Sequence, residues 1–194
     1  MSRTYWFVYT FILPIFRLLF PYTIVGRENI PEGGVMVCPN HAHALDPVFV
    51  CAGLGKKVRI HTMAKKEAID HPLAGWFLTA LGGYGVDRGN VDLQVIKDTL
   101  RFLKDGDKVV LFPEGTRVEY HGQVLAKSGA AVLALKAGVP VIPVYCGGKK
   151  KLFCRTTVVF GEPYYLQTES RRPTSEEYQQ LAEDILRRAY ALGE

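Results

Sequence analysis

The chain has 194 residues, 48% of them hydrophobic and 22% charged, and a formal net charge of +5. This length and composition allow one good core, so we expect a single folded domain and exclude an extended disordered region. The positive charge favours an acidic partner but does not separate nucleic acid, anionic lipid and phosphorylated substrate. The four cysteines form no CxxC pair, which favours a reduced, cytosol-facing protein.

The first segment, from Tyr5 to Phe20, is apolar almost all round and is predicted to form a helix. Such a helix would be about 24 Å long, short of the roughly 30 Å hydrocarbon core of a bilayer. Its aromatic content favours the membrane interface, so we expect residues 1–22 to lie in one leaflet, monotopic, and the unpaired cysteine pattern places this contact on the cytoplasmic face of the cell membrane. The alternative is a helix buried in the protein's own core, whereas a secretory signal peptide fits poorly because no small-residue cleavage site follows.

Residues 23–194 alternate between short apolar runs and segments with apolar residues at helical spacing. The predicted strands are 35–39, 58–63, 84–88, 108–111, 139–145 and 156–160, and the predicted helices begin at Asp46, Pro72, near Asn90, at Ala130 and at Thr174. The alternation predicts an α/β fold with a mostly parallel central sheet flanked by helices, in a single domain from residue 23 to residue 194.

Two loops that follow predicted core strands carry most of the reactive side chains. One runs from Asn40 to Asp46, and the other runs from Phe112 to Arg117. Because chemistry in α/β proteins concentrates at the carboxyl ends of the strands, we expect both loops to contribute to one site.

His41 and Asp46 are five positions apart, which on a continuous helix would place them about 140° from each other. A turn must therefore bring them together, and the carboxylate would then orient the imidazole so that its other nitrogen serves as a base. The structural alternative is that Asp46 only caps the helix that begins at Pro47, since aspartate before proline is a common helix start.

The second loop contains Glu114, Gly115, Thr116 and Arg117. Glycine permits close backbone approach, and the arginine guanidinium is a natural bidentate partner for phosphate. The alternative is a tight turn with a surface arginine. Lys65, Lys66 and Arg88 each lie at a predicted strand end, where they would converge on the same anion or remain solvated charges.

Taken together, these segments resemble the four sequence blocks of the glycerophospholipid acyltransferases, most closely the 1-acylglycerol-3-phosphate (lysophosphatidate) acyltransferases. The matching segments, in order, are Asn-His-x4-Asp at 40–46, Lys-Lys-Glu at 65–67 with Val-Asp-Arg at 86–88, Phe-Pro-Glu-Gly-Thr-Arg at 112–117 and Val-Pro-Val-Ile-Pro-Val at 139–144. The resemblance runs from about Ile24 to about Gly161, and the two terminal helices lie outside the blocks.

The resemblance implies a role for each matching residue. His41 would be the general base and Asp46 its orienter, and the substrate-binding residues would be Glu114, Gly115, Thr116, Arg117, Lys65 and Arg88. The implied reaction moves a fatty acyl chain from acyl-CoA or acyl-carrier protein to lysophosphatidate, giving phosphatidate at a membrane lipid surface. The resemblance implies no cofactor, no metal and no nucleic acid.

His43 departs from the family pattern, which often has serine or threonine at this place. His41 and His43 together look like a metal-binding pair, so a metallo-hydrolase is a competing hypothesis. The usual metal-binding run fails, however, because the carboxylate comes one place late and Pro47 stands where a histidine should follow. The motifs also allow an acyltransferase for glycerol-3-phosphate or another lysolipid, and the charge allows a non-catalytic peripheral protein that binds anionic lipid. The sequence leaves open the donor, the chain length, the acceptor and the oligomeric state.

Overall fold

The computed structural model describes residues 2–87, 92–168, 170 and 172–194. Its helices are α1 (Arg3–Phe7), α2 (Leu13–Leu19), α3 (Asp46–Leu54), α4 (Lys66–Asp70), α5 (Pro72–Ala80), α6 (Leu93–Lys104), α7 (Gly129–Ala137) and α8 (Ser175–Ala191). Its strands are β1 (Tyr22–Val25), β2 (Val35–Pro39), β3 (Ile60–Lys65), β4 (Gly83–Val86), β5 (Lys108–Val110), β6 (Val141–Gly148) and β7 (Thr156–Phe160). A π-helical segment, Val8–Ile12, joins α1 to α2 immediately before Pro14, and Arg27–Asn29 form a 3-10 turn.

The strands form one sheet in the order β1-β7-β6-β2-β5-β3-β4. Strands β2 to β6 are parallel to one another, and β7 pairs antiparallel with β6 and parallel with β1. The predicted α/β fold with a mostly parallel sheet flanked by helices is therefore confirmed. The carboxyl ends of β2, β3, β4, β5 and β6 meet at one edge of the sheet, where β7 and β1 begin; we call it the C-terminal edge.

Helices cover both faces of the sheet, and β2 is therefore buried on both sides. Val35 and Val37 point into a core shared with α3 and with α1, the π-helical segment and α2, which together we call the N-terminal helix. Met36 and Cys38 point into a second core shared with α6, α7 and α8. Such an all-apolar strand is typical of a parallel sheet in the middle of a three-layer sandwich.

Helix boundaries follow the capping signals of the sequence. The Asp92 side chain accepts bonds from the backbone at the start of α6, and Thr174 forms the predicted capping box with Glu177 at the start of α8. Gly138 ends α7 in the left-handed conformation, with φ +65°. The predicted start near Asn90 lies outside the described residues.

Some strand bounds differ from the predicted ones because pairing partners set them. The strand predicted at 139–145 is observed as Val141–Gly148, since antiparallel pairing with β7 extends it as far as the register Gly148 to Thr156. The strand predicted at 58–63 is observed as Ile60–Lys65, where pairing with β4 extends to Val86. Neither β1 nor α4 was predicted, because each is short and lacks a clear apolar period.

The N-terminal helix has one face in the protein core. The buried side chains on this face are Tyr5, Val8, Tyr9 and Leu13. The Tyr9 hydroxyl donates to the Cys51 carbonyl of α3 at 2.9 Å, and the Tyr5 hydroxyl donates to the Val58 carbonyl at 3.1 Å. This face matches the core alternative, and the domain boundary after residue 22 stays a prediction.

The opposite face of the same helix is apolar and exposed. Phe7, Phe11, Ile15 and Leu18 are 50%, 59%, 60% and 73% exposed, and their spacing places them along one side. We call these four side chains the apolar ridge. Within the described residues, no helix has both the length and the hydropathy needed to cross a bilayer.

Candidate active site

The two predicted loops meet at the C-terminal edge of the sheet, because β2 and β5 are neighbouring parallel strands. The backbone of His41 joins them directly. Its N–H donates to the Glu114 carboxylate at 2.5 Å, and its carbonyl accepts from the Val118 N–H at 2.9 Å. The sheet topology therefore places the His41 loop and the Arg117 loop side by side, as the sequence predicted.

Asp46 lies at the start of α3 and holds the His41 loop in a turn. Its Oδ2 is 3.2 Å from His41 Nδ1 and accepts from the backbone N–H groups of Ala42 at 2.8 Å and His43 at 2.6 Å. A simple capping role for Asp46 is wrong, because the cap position is Leu45 and the carboxylate points back at the preceding turn. Because three donors of this turn surround Oδ2, the turn brings together His41 and Asp46, which a continuous helix would separate.

The His41 ring lies between its carboxylate partner and solvent. Its side chain is 16% exposed and packs against Phe112, with 4.3 Å between the ring centroids. In the part of the chain that the structure describes, His41 Nδ1 is paired with Asp46 and no group is hydrogen-bonded to Nε2. A carboxylate at Nδ1 favours the tautomer with the proton on that nitrogen, so the lone pair of Nε2 is free to accept a proton.

Asp46 is fully buried, yet it is held as a carboxylate. Burial by itself raises its pKa, but the hydrogen bond from His41, the positive charge of Lys150 and the bond from the His43 backbone outweigh burial and place the pKa below its ordinary value. Lys150 Nζ lies 3.1 Å from Asp46 Oδ1. The sequence did not identify Lys150, because it stands in a run of three lysines that is typical of an exposed turn.

Glu114 is also buried, with 2% of its surface exposed, and both of its oxygens bind protein groups. One accepts from the His41 N–H, and the other accepts from the Tyr190 hydroxyl of α8 at 2.6 Å. The geometry therefore gives Glu114 a part in holding His41 in place, and its direct contact with substrate stays a prediction. Tyr190 was missed because it lies on the last helix, outside the sequence blocks of the family.

The buried position of Glu114 predicts a pH dependence of stability. Burial raises its pKa from 4.5 to about 7, so its contribution to stability is complete below about pH 4.5 and is lost as pH rises through 7. In the wild type this loss lowers the free energy of unfolding by at most about 3 kcal/mol, and we expect no such decrease in Glu114→Gln. Denaturant unfolding from pH 4.5 to pH 8 measures it, with exposed Glu119→Gln as the control; parallel curves for Glu114→Gln and wild type would contradict the assignment.

The other predicted substrate-binding residues of the second loop are accessible. Gly115 has φ +66°, which favours glycine, and a Cβ there would lie 3.1 Å from the Lys127 side chain. Thr116 and Arg117 are exposed, and Arg117 directly precedes Val118, whose N–H is bound to the His41 carbonyl. Among residues 2–87, 92–168, 170 and 172–194, the Arg117 guanidinium has no ion-pair or hydrogen-bond partner.

The predicted lysine and arginine from the neighbouring strands are less well defined. Lys65 ends β3 and is 54% exposed at its side chain, where Nζ lies 3.3 Å from Glu67. This places it at the C-terminal edge without showing contact with the Arg117 loop. Arg88 lies outside the described residues.

Asn40 connects the His41 loop to β6. It is 3% exposed, its Oδ1 accepts from the Cys146 N–H at 2.7 Å, and its own N–H donates to the Val144 carbonyl at 3.2 Å. Asn40 therefore fixes the end of β2 against β6 immediately before His41, a role that its position in the Asn-His motif does not reveal.

His43, the residue behind the metal-pair hypothesis, is partly exposed, and its ring makes a local hydrogen bond. Its Nδ1 accepts from the Leu45 N–H at 3.2 Å, while Nδ1 of His41 is engaged by Asp46. No group of three or more His, Cys, Asp or Glu residues suited to a metal occurs within the described part of the chain.

An α/β sandwich with a histidine and a buried aspartate at the strand ends, beside a Pro-Glu-Gly-Thr-Arg loop, is the arrangement that the resemblance to acyl-transferring proteins leads us to expect. The family model named Acyltransferase matches residues 22–147, so the chain belongs to the Acyltransferase family. The matched range contains His41, Asp46, Glu114 and Arg117, whereas the apolar ridge, Lys150 and Tyr190 lie outside it.

Among similar proteins, the 1-acyl-sn-glycerol-3-phosphate acyltransferase of Bacillus subtilis is 29% identical over 171 residues, which are 85% of this chain and 84% of that protein. The enzyme of the same name from Pseudomonas aeruginosa is 32% identical over 126 residues, 63% of this chain but 48% of that protein. The crystal structure of the 1-acyl-sn-glycerophosphate acyltransferase PlsC from Thermotoga maritima has the same fold, with a TM-score of 0.62 and 24% identity over 88% of this chain and 71% of that one.

Proposed function

We propose that this protein transfers a fatty acyl chain from a thioester, acyl-CoA or acyl-carrier protein, to the free hydroxyl of 1-acylglycerol-3-phosphate, giving phosphatidate. The observation that carries the proposal is His41 with Nδ1 3.2 Å from the buried Asp46 carboxylate, beside the loop that ends in the exposed Arg117. The names of the similar bacterial proteins support the same reaction and the same acceptor.

In the proposed mechanism His41 acts as the general base. Nε2 takes the proton of the acceptor hydroxyl as its oxygen attacks the thioester carbonyl, and Asp46 stabilises the imidazolium that forms. A carbon–oxygen bond forms, the carbon–sulfur bond breaks, and the proton passes from His41 to the departing thiolate. No covalent enzyme intermediate is needed, since a thiolate is already a good leaving group.

The acceptor phosphate is assigned to the cations around this loop. Arg117 offers a planar pair of donors that suits a phosphate, and we extend the phosphate site to Lys65 and Arg88 because β3, β4 and β5 are neighbours in the sheet. Gly115 would allow the backbone to approach the substrate, and Thr116 would supply a hydroxyl next to it. Glu114 would act indirectly, by holding the backbone of His41 in place.

The apolar ridge is proposed to rest on the cytoplasmic leaflet, as a monotopic contact made by residues 1–22. Four large side chains in one row are costly to leave in water, and the substrate and product lipids have acyl chains that reside in the bilayer. The end of α2, next to the ridge, contacts the loop that carries Lys150, because the Leu19 carbonyl accepts from the Phe153 N–H. Lipid would thus enter from the surface on which the protein sits.

The experiment that tests the proposed reaction pairs donors with acceptors. Purified protein is incubated with acyl-CoA or acyl-carrier protein and with lysophosphatidate, glycerol-3-phosphate or a lysolipid without a phosphomonoester, and the products are identified by mass. We expect phosphatidate from lysophosphatidate. Acylation of glycerol-3-phosphate alone would move the activity to that acceptor, and binding of anionic vesicles without any acyl transfer would support a non-catalytic lipid-binding protein.

Arg117 should be needed for the acceptor and not for the donor. In Arg117→Ala and Arg117→Lys we expect the KM for lysophosphatidate to rise about tenfold or more with the donor KM unchanged, since lysine does not reproduce the bidentate fork. Steady-state kinetics with each substrate varied in turn measures this. Arg101→Ala, which removes a surface arginine of α6 that pairs with Asp98, is the control. Equal effects on both substrates would argue against a phosphate contact.

A further inference from the structure

Lys150 differs from its neighbours in the loop between β6 and β7. Its side chain is 6% exposed, whereas Lys149 and Lys151 are exposed. Its ammonium lies 3.1 Å from Asp46 Oδ1 and donates to the Cys146 carbonyl at 2.8 Å. The contact with Asp46 is an ion pair without the alignment of a hydrogen bond. A long cationic side chain is rarely buried in this way unless it is paired with an anion.

The ion pair places one positive charge directly beside the Asp46 carboxylate. The titratable groups that face Asp46 are His41 from its own loop, Lys150 and Cys146 from the β6 side, and Glu114 from the β5 side. Within the described residues Lys150 is the permanent cation among them. Without it, the buried Asp46 carboxylate would face an imidazole with no positive charge to offset it, and the imidazole would hold a proton more tightly.

We infer that Lys150 is a positioning residue of the His41–Asp46 pair: it fixes the Asp46 carboxylate and offsets its charge, so that His41 meets the acceptor hydroxyl as a neutral base. This inference rests on the proposed function, in which His41 is the base. Lys150 lies beyond residue 147, where the family match ends.

The loop that carries Lys150 is attached to the end of α2 by a backbone hydrogen bond. The Phe153 N–H donates to the Leu19 carbonyl of α2 at 2.7 Å, and the Cys154 N–H donates to the Lys151 carbonyl at 3.1 Å. Phe153 has φ +61°, an uncommon conformation for a residue with a side chain, which marks a tight turn. The N-terminal helix therefore helps to set the position of the ammonium relative to Asp46.

The test compares Lys150→Met with Lys149→Met, a matched control from the same loop. Methionine keeps the length of the buried side chain and removes its charge. The loss of a cation near Asp46 raises the proton affinity of His41, so the acid limb of kcat/KM should move to higher pH by about one unit. We expect Lys150→Met to lose about tenfold in kcat/KM on the acid limb and to recover at high pH. The Lys149→Met profile should match the wild type.

Two further variants separate charge from packing. Lys150→Arg keeps the charge and should keep the wild-type acid limb even if its larger head lowers kcat. Lys150→Gln removes the charge while its amide can still donate to the Cys146 carbonyl, and it should show the shift of Lys150→Met, which also covers the case in which the methionine variant does not fold. An unshifted acid limb in the uncharged variants, with activity unchanged or reduced equally at every pH, would overturn the inference.

A direct titration of His41 keeps this inference separate from the proposed function. The ring proton signal of His41, assigned by its absence in His41→Ala, is followed by NMR against pH in the wild type and in Lys150→Met. A rise in the His41 titration midpoint supports the electrostatic role of Lys150 whether or not His41 is the base. Full activity of His41→Ala would instead overturn the proposed mechanism, and an unmoved midpoint in Lys150→Met would overturn the role of Lys150.

Discussion

His41→Ala is expected to lower kcat/KM for acyl transfer by about 10³- to 10⁴-fold while leaving the fold intact, because it removes the proposed proton acceptor for the attacking hydroxyl. The ring is partly exposed, so its loss leaves no large buried cavity. Asp46→Asn should be nearly as damaging, since an amide lacks the negative charge that stabilises the imidazolium and would direct an N–H at donors that need an acceptor. Single-turnover and steady-state assays, with circular dichroism as a check of folding, measure both losses.

The matched control for His41 is His43→Ala. This histidine stands two places away and is partly exposed, and within the described residues its ring accepts from the Leu45 N–H and does not contact Asp46, so we expect most of the activity to remain. Substantial turnover in His41→Ala would show that the base assignment is wrong. Loss of activity in His43→Ala together with loss of a tightly bound metal would instead favour a metallo-hydrolase.

Polar substitution of the apolar ridge is expected to release the protein from membranes. Each exposed aromatic or aliphatic side chain of this size contributes about 1–2 kcal/mol when it leaves water, so Phe11→Ser, Ile15→Ser and Leu18→Ser together should weaken vesicle binding more than about 100-fold. Sedimentation with vesicles of mixed neutral and anionic lipid measures the effect. The control carries serine at three exposed apolar positions outside the N-terminal helix, Leu93, Leu125 and Tyr165.

The substitutions are a better test than deletion of the segment. Deletion would also remove Tyr5, Val8, Tyr9 and Leu13 from the core and the Leu19 carbonyl from the loop that holds Lys150. In the ridge variant, activity on bilayer lipid should fall more than activity on a short-chain soluble acceptor. Unchanged sedimentation, or equal loss of both activities, would show that the ridge does not serve as a membrane contact.

The sequence predicts the class of fold and the meeting of the two main loops for a simple reason. Apolar runs that alternate with helical spacing report burial, and parallel strands connected by helices end at the same edge of a sheet. The capping box at Thr174 and the glycine after α7 are local signals, so the ends of these helices were also predictable. The contact of His41 with Asp46 follows from a turn of six residues and needed little of the remaining chain.

The sequence by itself determined that the chain folds as an α/β sandwich and that His41, Asp46 and the Arg117 loop lie at one edge. Only the tertiary structure decided that Glu114 is buried behind His41, since it meets His41 and Tyr190 across 73 and 76 positions. It also placed Lys150, and not the lysines on either side of it, next to Asp46. It buried one face of the N-terminal helix and left the apolar ridge exposed. Burial of a charge, or of one side of an all-apolar helix, depends on which distant elements pack against it, and local residue patterns contain no record of those partners.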